Sequence, residues 1–115
     1  MEREPADFPN DENGNVLRRM RANGDNLAVA RAIDFAVIFP TESAALECAI
    51  SLLKSGEKVR FSAYPGNPRY PWQVEVHPVM VPTHDAITRF ENRLETLAAP
   101  LGGRNDGWGS LSQGS

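Results

Sequence analysis

Apolar positions in this chain follow two alternating periods. Ile33, Phe35, Val37 and Phe39 fall at every second residue, with Asp34, Ala36 and Ile38 between them. Side chains that are β-branched or aromatic suit a pleated, half-buried surface, so a strand is expected here, ended by Pro40. The period then lengthens. Thr41 is placed to cap a helix, Glu42 sits at its positive end, and Leu46, Ala49, Ile50 and Leu53 make one apolar face before Ser55-Gly56 stops it. Residues 58–64 alternate again, with Val59, Phe61 and Ala63 on one side and Lys58, Arg60, Ser62 and Tyr64 on the other. A turn-rich stretch, Pro65-Gly66-Asn67-Pro68-Arg69-Tyr70-Pro71, joins this strand in a long hairpin to another over residues 72–77, with Pro78 suiting an edge or terminal position. Thr83 repeats the capping logic, and Ile87, Phe90, Leu94, Leu97 and Ala98 predict a second amphipathic helix that halts before Pro100.

Two further segments frame this run. Residues 15–23 predict a short helix, with Val16, Leu17 and Met20 on a narrow apolar stripe and Gly24 as its stop. Near the other end, Gly102-Gly103 and Asn105-Asp106-Gly107 are turn chemistry, so a chain reversal is expected there, followed by a last strand over residues 108–112. The order of strand, helix, strand, strand, helix, strand describes an α+β chain of ferredoxin-like βαββαβ type: a four-stranded antiparallel sheet with two helices on one face, plus a short extra N-terminal helix.

A period of two also assigns faces. With Ile33, Phe35, Val37, Val59, Phe61, Val74 and Val76 toward the helices, Asp34, Arg60, Tyr64, Gln73, Glu75 and His77 point away. Setting Leu111 inward puts Trp108 and Ser110 on the outer face as well. Trp108 then has two readings. It packs beneath the N-terminal helix, against Val16, Leu17 and Met20, and covers the open sheet face, or it is an exposed anchor for a partner. Trp72, beginning a strand beside a proline, is read as core.

Composition narrows the class. At 115 residues, 41% hydrophobic and 23% charged, the chain has the size of one domain with a single core. No apolar run is long enough for a membrane span, and the first residues carry none, so a soluble cytoplasmic protein is expected. The single cysteine, Cys48, agrees with a reducing compartment. The net charge of -3 is uneven, because residues 1–15 hold Glu2, Glu4, Asp7, Asp11 and Glu12 against Arg3. Residues 1–12 are therefore read as a flexible acidic arm, with residues 13–113 as the domain. The basic excess of a nucleic-acid binder is missing.

Catalytic patterns are absent from the sequence. His77 and His84 are the only histidines, and His84 beside Asp85 in a helix's first turn reads as surface capping. Cys48, in mid-helix without a basic neighbour, reads as a small hydrophobe. Gly102-Gly103 follows a helix instead of a strand and lacks the setting of a phosphate cradle. No enzyme activity, metal or cofactor is expected. Arg60, Arg69 and Arg104 could rim a site for an acidic partner or be solvated surface charges.

The segment from Pro100 to Gly109, and above all Asp106-Gly107-Trp108-Gly109 after an Ala/Leu-rich helix, resembles the regulator of ribonuclease E activity B family. The strand-helix-strand run over residues 33–64 shares the likeness, which extends to Gln113. The resemblance implies a small α+β protein that binds the endoribonuclease E scaffold and changes RNA decay without doing chemistry. Better-known members carry a long acidic C-terminal tail; this chain ends Ser112-Gln113-Gly114-Ser115, with its acids at the other end.

The favoured reading is thus a protein-binding inhibitor of endoribonuclease E, in which Trp108, Asp106, Arg104, Arg60 and Tyr64 form the partner surface. The alternative is a single-stranded RNA-binding module using the open sheet, with Lys58, Arg60 and Tyr64 exposed, although the glycine-aromatic-valine string of RNA-recognition sheets is missing. A small-molecule enzyme would require a cavity lined by His77, Tyr64 and Arg60. A free sheet edge also makes a homodimer a possibility.

Overall fold

Each helix begins on a side chain that accepts from a backbone N–H left free at the helix start. Asp11, Thr41 and Thr83 lie in extended backbone and cap through the amides of Gly14, Ala44 and Ala86. In the structure, a computed structural model that describes residues 9–110, these caps open α1 (Glu12–Ala22), α2 (Glu42–Lys54) and α3 (His84–Ala98). The strands are β1 (Arg31–Ala32), β2 (Asp34–Phe39), β3 (Val59–Ala63), β4 (Trp72–Val76), β5 (Val79–Met80) and β6 (Arg104–Gly109). The chain is α+β, and its main sheet runs β3-β4-β2-β6 with every neighbouring pair antiparallel.

Register confirms the period-two reading of the central strands. Phe35 pairs with Val76, Val37 with Val74 and Phe39 with Trp72, while Val59 and Phe61 continue the same rows on β3. This face lies against the helices, α2 over β3 and β4 and α3 over β2 and β6. Phe35, Phe39, Leu52, Ile87 and Val74 are fully buried between the layers. Phe35 tilts against Phe90 at 4.6 Å, and Phe61 stacks on Trp72 at 5.6 Å, so Trp72 belongs to the core as expected.

Four features depart from the sequence reading. The first is α2, which turns Ala45, Cys48, Ala49 and Leu52 to the sheet and leaves Leu46, Ile50 and Leu53 exposed, although Leu46, Ile50 and Leu53 were expected in its buried face. A helix with two apolar stripes can bury either, and small side chains allow its backbone closer to the strands. The second is α1. It packs on α3 and sends Leu17 into the main core, so it stands on the helical side and does not cover the outer sheet face.

The third is β6, which begins four residues earlier than the expected 108–112. Opposite the step from Phe35 to Val37, β6 runs from Trp108 to Asn105, one residue more than its partner, and Gly107 takes a φ of +100 within this bulge. Asn105-Asp106-Gly107 is therefore a bulge inside a strand, not a reversal. Because the bulge shifts the alternation by one, Trp108 sits beside Phe35 on the helical face, not on the outer one. Ser110, expected beside it on the outer face, follows the strand's end; Leu111 and Ser112 lie outside the described residues. The reversal itself is made earlier, where Gly102 adopts a left-handed φ of +78 after a 3-10 turn over Ala99–Leu101.

The fourth is a small second sheet, β1 with β5, which strands of two residues could not announce by any period. It continues the chain past Pro78, whose carbonyl accepts from the Ile33 amide at 2.9 Å. Beside it, Arg31 and Asp25 form a buried ion pair at 2.8 Å, and Arg31 also donates to the carbonyls of Asn26 and Val29. Of the acidic arm expected over residues 1–12, residues 1–8 lie outside the described residues, while Asp11 and Glu12 cap and open α1.

Candidate functional site

Two of the expected site residues, Tyr64 and Asp106, meet across the sheet. Tyr64 directly follows β3 and Asp106 lies in β6, the two edge strands, yet the Tyr64 hydroxyl donates to the Asp106 carboxylate, which raises the phenol's pKa above its ordinary value. The hairpin loop makes this reach possible. Its closing bond runs from the Tyr64 amide to the Pro71 carbonyl at 2.7 Å, Gly66 lies against the Tyr64 ring, and Tyr70 carries the Arg104 guanidinium over its ring at 5.5 Å. Ile38 pairs with Arg104 on the outer face and is nonetheless only 3% exposed. Arg60 stands apart from this group, 3.6 Å from Glu75 in an exposed pair of the kind that contributes little.

Trp108 builds a second feature on the other side of β6. Its indole N–H donates to Oδ1 of Asn13 at 2.9 Å, so α1 holds it by its polar edge while its body packs against the core. The Asn13 amide in turn donates to Glu91 Oε1 at 2.8 Å and to Thr88 at 3.2 Å, and the second oxygen of Glu91 accepts from Asn105 at 2.9 Å. Around this network opens a cleft of about 360 Å³, walled by Glu12, Asn13 and Val16 of α1, Glu91 of α3, and Asn105 to Trp108 of β6. Its charged lining is wholly acidic. Asp106 belongs to both features: it wall-lines the cleft and bonds Tyr64.

A model of the family described as regulator of ribonuclease activity B matches residues 10–110, which takes in α1, the whole sheet and the cleft. The chain belongs to that family. A comparison with curated proteins returns no match. Membership in the regulator of ribonuclease activity B family makes this a regulator of ribonuclease activity and implies a protein partner, and no helix among the described residues is long and apolar enough to cross a membrane.

The residues left over by the sequence reading fall elsewhere in this regulator. A second cleft, of about 280 Å³, lies by His77, and neither Tyr64 nor Arg60 lines it. His77 instead meets Asp34 at 2.6 Å. His84 bonds Asp11 at 2.9 Å, whereas Asp85 pairs with Arg89. The Gly14 amide and then His84 hold the Asp11 carboxyl below its ordinary pKa. Burial pushes the Cys48 thiol up to about 11, in keeping with its reading as a hydrophobe. Among the described residues, no group of three or more His, Cys, Asp or Glu side chains could hold a metal ion.

Sequence reasoning missed Asn13, Glu91 and Asn105. Each is an ordinary polar residue on an ordinary helix or strand, and only the bulge that turns Trp108 inward brings them together. Tyr70 was read as part of a turn, and nothing in its local pattern points to Arg104.

Proposed function

We propose that the chain is a non-catalytic inhibitor of endoribonuclease E in the bacterial cytoplasm, acting by binding a protein segment along β6. The observation that carries this reading is the place of Asp106, which joins the acidic Trp108 cleft to the Tyr64–Arg104 group on the outer face. A partner following that edge meets an indole, three carboxylates (Glu12, Glu91 and Asp106) and then two aromatic rings. Such a surface fits a segment that presents a cation between apolar residues, since a guanidinium can both pair with carboxylates and stack on a ring. Arg104 and Tyr64 belong to the contact as the residues that hold the outer part of this edge, and Arg60 is at its margin. The strand order with α2 and α3 on one face supports the ferredoxin-like reading of the scaffold.

The RNA-binding alternative finds less support. The charged side chains lining the cleft, Glu12, Glu91 and Asp106, are all acidic, which opposes the approach of a phosphate backbone.

Retention of the non-catalytic region of endoribonuclease E on the immobilised chain tests the proposal. The wild type should retain it, and Asp106→Lys should lose at least tenfold in affinity, as expected for a charge reversal at a contact. No retention by the wild type removes the nuclease as partner. Equal retention by Asp106→Lys moves the contact away from β6.

A further inference from the structure

The unburied stripe of α2 is an apolar feature that the proposed partner surface leaves unused. Leu46, Ile50 and Leu53 are 41%, 49% and 56% exposed, and their spacing of four and then three residues lines them up along one side of the helix. Glu47 and Lys54 flank this stripe. Seven residues apart, they stand on the same side of it, and neither is in an ion pair with another described residue.

We propose that this stripe is the seam of a homodimer in which α2 of a second copy lies antiparallel. The charges decide between occupants and directions. In an antiparallel helix pair, flanking positions of the same kind face one another across the seam. With the two-fold axis beside Ile50, Glu47 of each copy therefore comes opposite Lys54 of the other. The same stripe and the same flank thus complete themselves, as an isologous interface requires. A parallel arrangement would bring the acidic first turns, each with Glu42, side by side and align the helix dipoles unfavourably. This seam is on the face of α2 away from the sheet, so it leaves β6 and its cleft free, and dimerisation is separable from partner binding.

Three apolar side chains make a small seam, which places the dissociation constant at about 10 μM to 1 mM. Sedimentation equilibrium across that range should show a reversible monomer–dimer equilibrium for the wild type. Ile50→Glu, at an exposed position that leaves the fold intact by circular dichroism, should weaken it at least tenfold. Glu47→Lys and Lys54→Glu should each weaken self-association, because each sets like charges opposite one another, whereas an equimolar mixture of the two should dimerise at least as well as the wild type. A wild type that stays monomeric to 1 mM overturns the proposal, as does a dimer indifferent to Ile50→Glu. A mixture of the two charge variants that fails to recover association overturns the antiparallel seam.

Discussion

The indole of Trp108 and the side-chain amide of Asn13, 95 residues apart in sequence, are joined by a 2.9 Å hydrogen bond that ties the first helix to the last strand. Asn13 also donates to Glu91 and Thr88 on α3. Replacing it with Leu strands a half-buried indole N–H and one oxygen of Glu91 together. The expected loss is about 1–3 kcal/mol of unfolding free energy, read from the urea midpoint at unchanged slope. Hydrogen exchange should report the loss first in α1, which packs on α3 with few other contacts. A variant with wild-type midpoint and α1 protection would mean that the network is decorative.

The Asp25–Arg31 pair predicts an asymmetry. Both side chains are 3% exposed, and Arg31 donates in addition to two backbone carbonyls. Asp25→Ala leaves a buried guanidinium without its counter-charge and should cost about 3–5 kcal/mol, while Asp25→Ala combined with Arg31→Met should recover much of that loss. Chemical denaturation of the two variants decides the matter. If the single and double variants are equally destabilised, the damage lies in packing and not in the stranded charge.

Gly103 is required by space and not by backbone angle. A Cβ there would stand 2.5 Å from Cε1 of Phe39 and 3.1 Å from the Cβ of Ala98, whereas one on Gly109 meets nothing within 4 Å. Phe39 is fully buried and has no room to retreat. Gly103→Ala should therefore destabilise by about 1–3 kcal/mol, as overpacked cores do. Gly109→Ala, at the far end of β6, is the control and should stay near the wild type in thermal unfolding.

These positions mark how far the sequence reached. The alternation through Phe35, Val37 and Phe39, and the caps at Thr41 and Thr83, are local signals, and the structure follows them. Which stripe of α2 is buried is not local: Leu46, Ile50 and Leu53 carry as strong a helical period as Ala45, Cys48 and Leu52, and the sheet accepts the smaller set. The Asp-Gly-Trp-Gly motif falls in β6, but setting Leu111 inward put Trp108 on the outer face, whereas Trp108 pairs with Phe35 on the helical one. Of the proposed partner surface, Tyr64, Arg104 and Asp106 were legible as polar residues in or beside strands. Their convergence depends on how the 65–71 loop folds, which no period encodes.

The hydrogen bond from Tyr64 to Asp106 makes that convergence measurable. An adjacent carboxylate favours the protonated phenol, so the folded chain should hold the Tyr64 proton to higher pH than the unfolded chain does. The contribution of this contact to stability is then complete below the ordinary phenol pKa and is lost as pH rises through the raised one. Difference absorption during an alkaline titration should resolve one late-ionising tyrosine in the wild type, and Asp106→Asn should bring it back toward its ordinary value. Tyr70→Phe removes the other tyrosine and isolates the signal. If Tyr64 ionises alike in the wild type and in Asp106→Asn, the bond that joins the two edges of the sheet does not persist in solution, and the outer part of the proposed partner surface loses its brace.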